Sequence, residues 1–246
     1  MSEILFGIHP VLEALRARRR RFVQIWVNRN KLSPGLRELS ALADARGVDV
    51  EKVPATRLQS MAGTPQHQGV AAKVGLYPWV DFAQLLPVPL GPGGSAFFLL
   101  LDGILDPQNL GAIARTALCA GIDGVVTAQD RCAPPTPAAS KASAGALEHL
   151  RVARVPNLVH ALCALKDRGL WVAGMAPSAG PVLFDMDLNG PLALVVGSEE
   201  KGIRPLVRRH CDFLFCIPQA GPLDSLNASV ACGVALYEAF RQRRMR

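Results

Sequence analysis

The sequence predicts an α/β protein made of two successive α/β units. Three observations carry this. Short apolar runs alternate with helix-patterned segments along nearly the whole chain. Two runs, Phe97 to Leu101 and Leu192 to Val196, are apolar at every position, the mark of strands buried on both faces. A proline- and glycine-crowded tract, residues 76–95, separates a first unit (1–75) from a second (96–246) and reads as a semi-rigid linker.

In the first unit, Pro10 to Arg18 reads as a short helix and Phe22 to Val27 as a strand. Ser33 to Arg46 reads as a helix, with Ser33 as N-cap and Pro34 at its first position, and Gly47 stops it. Val48 to Val53 is a strand, Ala55 to Met61 a short helix and Gly69 to Val74 a strand. In the second unit the buried strand from Phe97 leads into a helix over Pro107 to Ala120, ended by Gly121. Val125 and Val126 sit in a strand, and Pro137 to Ala146 reads as a helix. Leu150 to Val155 is a strand, Leu158 to Arg168 a helix and Trp171 to Ala176 a strand. Leu192 to Val196, a short helix at Pro205 to Arg209, a strand at Phe213 to Ile217 and a final helix over Leu226 to Arg243 complete a mostly parallel, doubly wound sheet. Such sheets bind ligands in the loops after the carboxyl ends of their strands.

Half of the 246 residues are apolar, which excludes a disordered chain. Aromatic residues make up only 6%, few for a base-stacking platform. The net charge of +7 points to a polyanionic partner, although a merely basic enzyme would share it. The densest positive cluster is Arg16, Arg18, Arg19, Arg20 and Arg21, with no acid among them. It favours phosphate contact over a plain solvated helix end. A second basic run, Arg241, Arg243, Arg244 and Arg246, closes the chain. The six cysteines form no CxxC pair and no zinc-finger spacing, and read mostly as small buried apolar residues. The first ten residues do not read as a secretory signal, and no run is long enough to span a bilayer. A reduced, cytoplasmic protein with no membrane partner is the expectation.

Three loops after apolar strands concentrate polar side chains. In the first, Asp102 to Ala117, Asn109 opens a helix and Arg115 follows on its otherwise apolar surface. An anionic ligand is one account of Arg115; an ion pair with Asp102 or Asp106 is the other. In the second, Gly197 to Arg204, the glycines have phosphate-loop spacing, but Ile203 and Arg204 stand where Lys and Ser/Thr are required. The pair instead suggests close backbone approach to a different ligand. Glu199 either orients neighbours or simply complements a helix N-terminus. In the third, Ile217 to Ala231, Ser225 reads as N-cap of the last helix, with Asn227 and Ser229 in its first turn. No GxSxG elbow, GxGxxG fingerprint or HExxH is present, and the five histidines lack ligand spacing. A hydrolase triad and a metal enzyme are disfavoured.

Taken in order, the three loops resemble the SpoU/TrmH family of RNA ribose 2′-O-methyltransferases. The matching segments are Asn109 to Ala117, Val196 to Gly202 and Ile217 to Ala231. Phe6 to Leu15, His67 to Ala72 and Ser140 to Ala146 are similar to the subgroup that methylates a 23S rRNA guanosine. The resemblance implies a small N-terminal α/β domain that binds RNA through the Arg16 to Arg21 cluster, and a C-terminal α/β methyltransferase domain with a trefoil knot. It implies S-adenosylmethionine as cofactor, with contacts from Gly174, Gly197, Ile217, Leu226 and Ser229. It also implies a homodimer with the active site at its interface. Arg115 is the residue the family makes catalytic, supported by Asn109, Glu199, Ser225 and Asn227. A guanidinium scarcely deprotonates, so gripping the ribose-phosphate suits Arg115 better than acting as base. Methylation of a tRNA ribose stays open, as does a non-catalytic role in ribosome assembly.

Overall fold

The computed structural model describes residues 1–31, 33–86, 96–177, 180–222 and 225–244. Part of the expected linker (87–95) and Arg246 of the terminal basic run lie outside them. The described chain forms two compact units: Met1–Pro78 with Pro134–His149, and Trp79–Ala133 with Leu150–Arg246. Pro134–His149 thus packs within the first unit, a non-contiguous piece that a division at 75 and 96 assigns to the second.

The first unit carries strands β1 (Ser2–Phe6), β2 (Phe22–Asn28), β3 (Val50–Val53) and β4 (Val70–Gly75), and helices α1 (Ile8–Ala17), α2 (Pro34–Ala45) and α3 (Ala55–Ala62). The sheet order is β1-β4-β2-β3. β4 runs antiparallel to β1 and β2, while β2 and β3 are parallel. β1 is absent from the sequence-based reading. Five residues paired with a strand some seventy positions away, Ser2 facing Gly75, give no local signal. Ser33 caps α2 as expected, its hydroxyl accepting from the Leu36 amide at 3.3 Å. Leu5, Val11, Leu15, Ile25, Leu39 and Val74 build the core of this unit.

The returning segment contributes α5 (Pro137–Ala142) and a short 3-10 turn. The helix stops before the predicted Ala146 because Ala144 and Gly145 take φ of 52° and 87°. Gly145 is also tight against α1: a Cβ there would lie 2.7 Å from Glu13 Cβ and 2.9 Å from the His9 carbonyl. Beside it a buried ion pair forms. Arg20 Nε donates to Glu148 Oε2 at 2.6 Å and Arg20 Nη2 to Glu148 Oε1 at 3.1 Å. Glu3 meets the far side of the same guanidinium, and Ser140 Oγ donates to Glu148. The Arg20 side chain is 0% exposed and that of Glu148 1%. Tyr77 lies beneath the guanidinium, 5.1 Å from ring centre to Cζ, and burial pushes its phenol pKa up. Arg20 is therefore a structural residue and not the phosphate contact expected of it.

The second unit holds α4 (Pro107–Cys119), α6 (Leu158–Lys166), α7 (Pro205–Arg209) and α8 (Ala228–Arg244) around a six-stranded sheet. Its strands are β5 (Phe97–Asp102), β6 (Gly124–Ala128), β7 (Val152–Val155), β8 (Trp171–Met175), β9 (Leu192–Gly197) and β10 (Phe213–Phe215). Their order is β10-β8-β9-β5-β6-β7, and every pair is parallel. β5 and β9 are buried at all six positions, as their continuous apolar runs predict. Of the cysteines only Cys232 is fully buried, and Cys119 is exposed. Arg243 is likewise structural: it stacks over Phe97 at 4.2 Å and donates to the Gly190 carbonyl at 2.6 Å.

Removing one partner of a buried ion pair leaves the other charge uncompensated. Arg20→Ala is expected to destabilise the first unit by about 3–5 kcal/mol. Arg18→Ala, at an exposed position, should stay within about 0.5 kcal/mol of wild type. Urea unfolding of the two variants measures the difference.

Candidate active site

The site grows from the carboxyl ends of β8, β9 and β10. β9 ends at Gly197, where a Cβ would fall 2.0 Å from the Gly202 carbonyl carbon and 2.2 Å from the Ile203 amide nitrogen. The following turn folds back on itself. The Ser198 amide donates to the Gly202 carbonyl at 3.2 Å, and the Gly202 amide returns the bond at 2.9 Å. Gly202 closes the turn at φ +61°, where glycine is favoured. The close approach inferred from the two glycines is therefore made by the chain to itself.

One face of this turn lines a cleft of about 320 Å³. Met175 at the end of β8, Pro177 beyond it, Ile217 beyond β10, and Leu226, Ala228 and Ala231 at the start of α8 supply its apolar wall. Of the cofactor residues expected from sequence, Gly197, Ile217 and Leu226 line it; so does Ser225. Gly174 and Ser229 are not in its wall. Gly174 is closely packed in β8, where a Cβ would meet Cys211 Sγ and Leu214 Cδ2 at 2.8 Å. Ser229 turns its hydroxyl to Asn227. Met175 and Pro177 carry no sequence signal as site residues, since apolar residues in such runs look like ordinary core, and the small Ala228 and Ala231 suggest close backbone packing rather than a cavity wall.

The three loops meet on one carboxylate. Glu199 Oε1 accepts from Asn109 Nδ2 at 2.9 Å, from the Ala228 amide at 3.4 Å, and from Asn227 Nδ2. Asn227 Nδ2 also donates to Asn109 Oδ1 at 3.1 Å. Asn227 Oδ1 accepts from the Ser229 and Val230 amides at 2.9 and 3.3 Å. Asn227, rather than Ser225, therefore caps α8. Both accounts of Glu199 hold: it sits at a helix N-terminus and orients two amide side chains.

Arg115 lies on the exposed face of α4. The alternative ion pairs do not form. Asp102 is taken by Arg204, whose Nε and backbone amide donate to it at 2.6 and 2.8 Å. Asp106 caps α4, accepting from the Gln108 amide at 2.9 Å. Arg115 has no ion-pair or hydrogen-bond partner among the described residues, and it lines neither cavity described for this unit.

In the first unit the arginine cluster divides. Arg16 pairs with Glu13 and Glu38, and Arg19 donates to the Pro78 carbonyl at 2.9 Å. Arg20 is buried, leaving Arg18 and Arg21 as the exposed members with no such partner among the described residues.

Gly197→Ala must displace the 198–202 turn, because the added methyl meets backbone. The expected outcome is at least about a tenfold loss of S-adenosylmethionine affinity by calorimetry, with about 1–3 kcal/mol lost from stability.

Comparison with known proteins agrees with this geometry. Residues 96–237 match the model of the SpoU rRNA methylase family, and residues 4–80 match RNA 2′-O ribose methyltransferase substrate binding. The chain is 39% identical over 246 residues to the 23S rRNA (guanosine-2′-O-)-methyltransferase RlmB of Pectobacterium atrosepticum, covering 99% of both chains. It is 41% identical over 241 residues to YacO of Bacillus subtilis, named for the TrmH family of tRNA/rRNA methyltransferases, covering 98% of this chain and 96% of that one. Among solved structures, the SpoU methyltransferase AviRb from Streptomyces viridochromogenes in complex with AdoMet superposes with a TM-score of 0.83 at 26% identity. That match covers 100% of this chain and 92% of AviRb. With the methylase model matched across more than half its length, the chain belongs to the SpoU rRNA methylase family.

Proposed function

We propose that this protein transfers a methyl group from S-adenosylmethionine to the ribose 2′-hydroxyl of a guanosine in 23S rRNA, acting as a cytoplasmic homodimer. The observation that carries the chemistry is the junction of Asn109, Glu199 and Asn227 at the rim of a cleft suited to the cofactor. The cleft lies beyond the carboxyl ends of parallel strands, where such sheets bind ligands, and its volume is in the small-molecule range. Its apolar wall suits an adenosine. Bound there, the cofactor supplies an electrophilic methyl on a sulfonium. The knotted path of the C-terminal chain rests on the family to which the chain belongs.

The chain's own work is positioning and charge. Glu199 holds Asn109 and Asn227 in fixed orientations, so their amides present a preset polar edge to a ribose. Arg115, an exposed cation without a partner among the described residues, is available to the phosphate beside the acceptor hydroxyl. A guanidinium keeps its proton in proteins, so Arg115 stabilises the developing alkoxide by its charge. Homodimerisation is supported by apolar side chains that α4 and α8 leave exposed: Leu118, Val230 and Tyr237. No described helix is long and apolar enough to cross a membrane. The rRNA target rests on the RlmB relatives. A tRNA target is the second reading, and the name of YacO covers tRNA and rRNA alike.

Labelled S-adenosylmethionine offered with unmodified 23S rRNA and, separately, with tRNA tests the reading. The expected product is 2′-O-methylguanosine on rRNA alone; label on tRNA alone overturns the substrate. Arg115→Ala should abolish transfer while cofactor affinity is kept, and a variant with wild-type turnover removes Arg115 from the chemistry. Replacing Arg18 and Arg21 together by alanine should weaken RNA binding. It should also flatten the slope of log K against log salt by about 0.7 per arginine that contacts phosphate. An unchanged slope in a salt titration removes both from the interface.

A further inference from the structure

A second cavity, of about 490 Å³, lies on the 198–202 turn and shares that turn with the cofactor cleft. Asn109 and Glu199 are in its wall, so it borders the polar junction directly. Ile104 and Leu105 supply an apolar side, and Leu105 is 68% exposed, so its side chain is open to a ligand. Two arginines line the cavity. Arg204 is committed to Asp102. Arg131 has no ion-pair or hydrogen-bond partner among the described residues, and its backbone sits at φ +62°, a region that residues with side chains rarely adopt. The neighbouring chain is pinned to the same loop: the Ala133 amide donates to the Ile104 carbonyl at 2.7 Å, and Cys132 Sγ to the Leu101 carbonyl at 3.4 Å. Arg131 thus brings an unpaired guanidinium, among the described residues, to the cavity that the exposed Leu105 also lines.

We infer that this cavity receives the acceptor base and that Arg131 reads it as guanine through O6 and N7. The inference rests on the methyl-transfer reading above and adds the specificity residue. An acceptor base unstacked from its RNA needs an apolar surface and a hydrogen-bonding edge, and Leu105 and Arg131 provide one each. Guanine places two acceptors, O6 and N7, side by side and matches the arginine fork. Adenine puts an amino donor in the place of O6, and pyrimidines have no N7. The acids lining the cavity make it a poor phosphate site: Asp102, Asp106, Glu199 and Glu200 offset Arg131, Lys201 and Arg204.

The test has two arms. In the first, an unmodified rRNA hairpin containing the acceptor guanosine is compared with the same hairpin carrying inosine or 7-deazaguanosine at that position. Wild type should accept inosine, which keeps O6 and N7, and lose about tenfold in kcat/KM on 7-deazaguanosine. Arg131→Ala should drop guanosine to the 7-deazaguanosine level with cofactor affinity unchanged, and Arg131→Lys should restore only part of the preference. Equal use of the two bases by wild type, or a preference that survives in Arg131→Ala, overturns the inference while methyl transfer stands. The second arm needs no turnover: guanosine 5′-monophosphate should shift the methyl NMR signals of Ile104 and Leu105 in wild type and not in Arg131→Ala. That shift without methylation of any RNA would keep the pocket and overturn the methyl-transfer reading. Its absence from an active wild type would overturn the pocket.

Discussion

Glu199 is the point at which the second unit becomes a site rather than a sheet with loops. One carboxylate oxygen collects Asn109 from the first turn of α4, Asn227 from the segment before α8, and the first amide of α8 itself. Each of those groups has little reason to hold its place alone, since polar side chains on loops exchange readily with water. A charged acceptor bound by several donors makes stronger hydrogen bonds than neutral pairs do. The positive end of α8 adds to the field at that oxygen. The result is a rigid polar edge assembled from residues 109, 199 and 227.

Steric crowding at the end of β9 complements that electrostatic hub. Gly197 has no space for a side chain, and the turn that follows is closed by reciprocal backbone hydrogen bonds. The turn is therefore a fixed element that both cavities share, since residues 198–202 line each of them.

The first unit is organised by a different constraint. Arg20 is buried together with Glu148 and Glu3, and Glu148 comes from a segment more than a hundred residues downstream. A buried guanidinium is tolerated only where its donors are met, and here two carboxylates, a carbonyl and the Tyr77 ring meet it. This ties Pro134–His149 to the N-terminal sheet and removes Arg20 from any surface role. Of five adjacent arginines, one builds the fold, two are engaged locally and two stay available.

Much of this was legible in the residues themselves. The apolar runs at β5 and β9, the serine and proline that open α2, and the order of the three loops are local signals, because burial on both faces and helix capping act over a few positions. The residues of the hub were legible as candidates for the same reason: Asn109, Glu199 and Asn227 are polar groups at strand ends and helix starts. Tertiary structure decided the rest. β1 exists only because β4 is there to pair with it, and Asn227 caps α8 in place of Ser225 because Glu199 also binds its amide. Ser229 gives its hydroxyl to Asn227, which Glu199 holds in turn. Asp102 is claimed by Arg204, a residue 102 positions away. In each case the partner lies far away in sequence, and no propensity or spacing reports which distant side chain will arrive first at a buried charge.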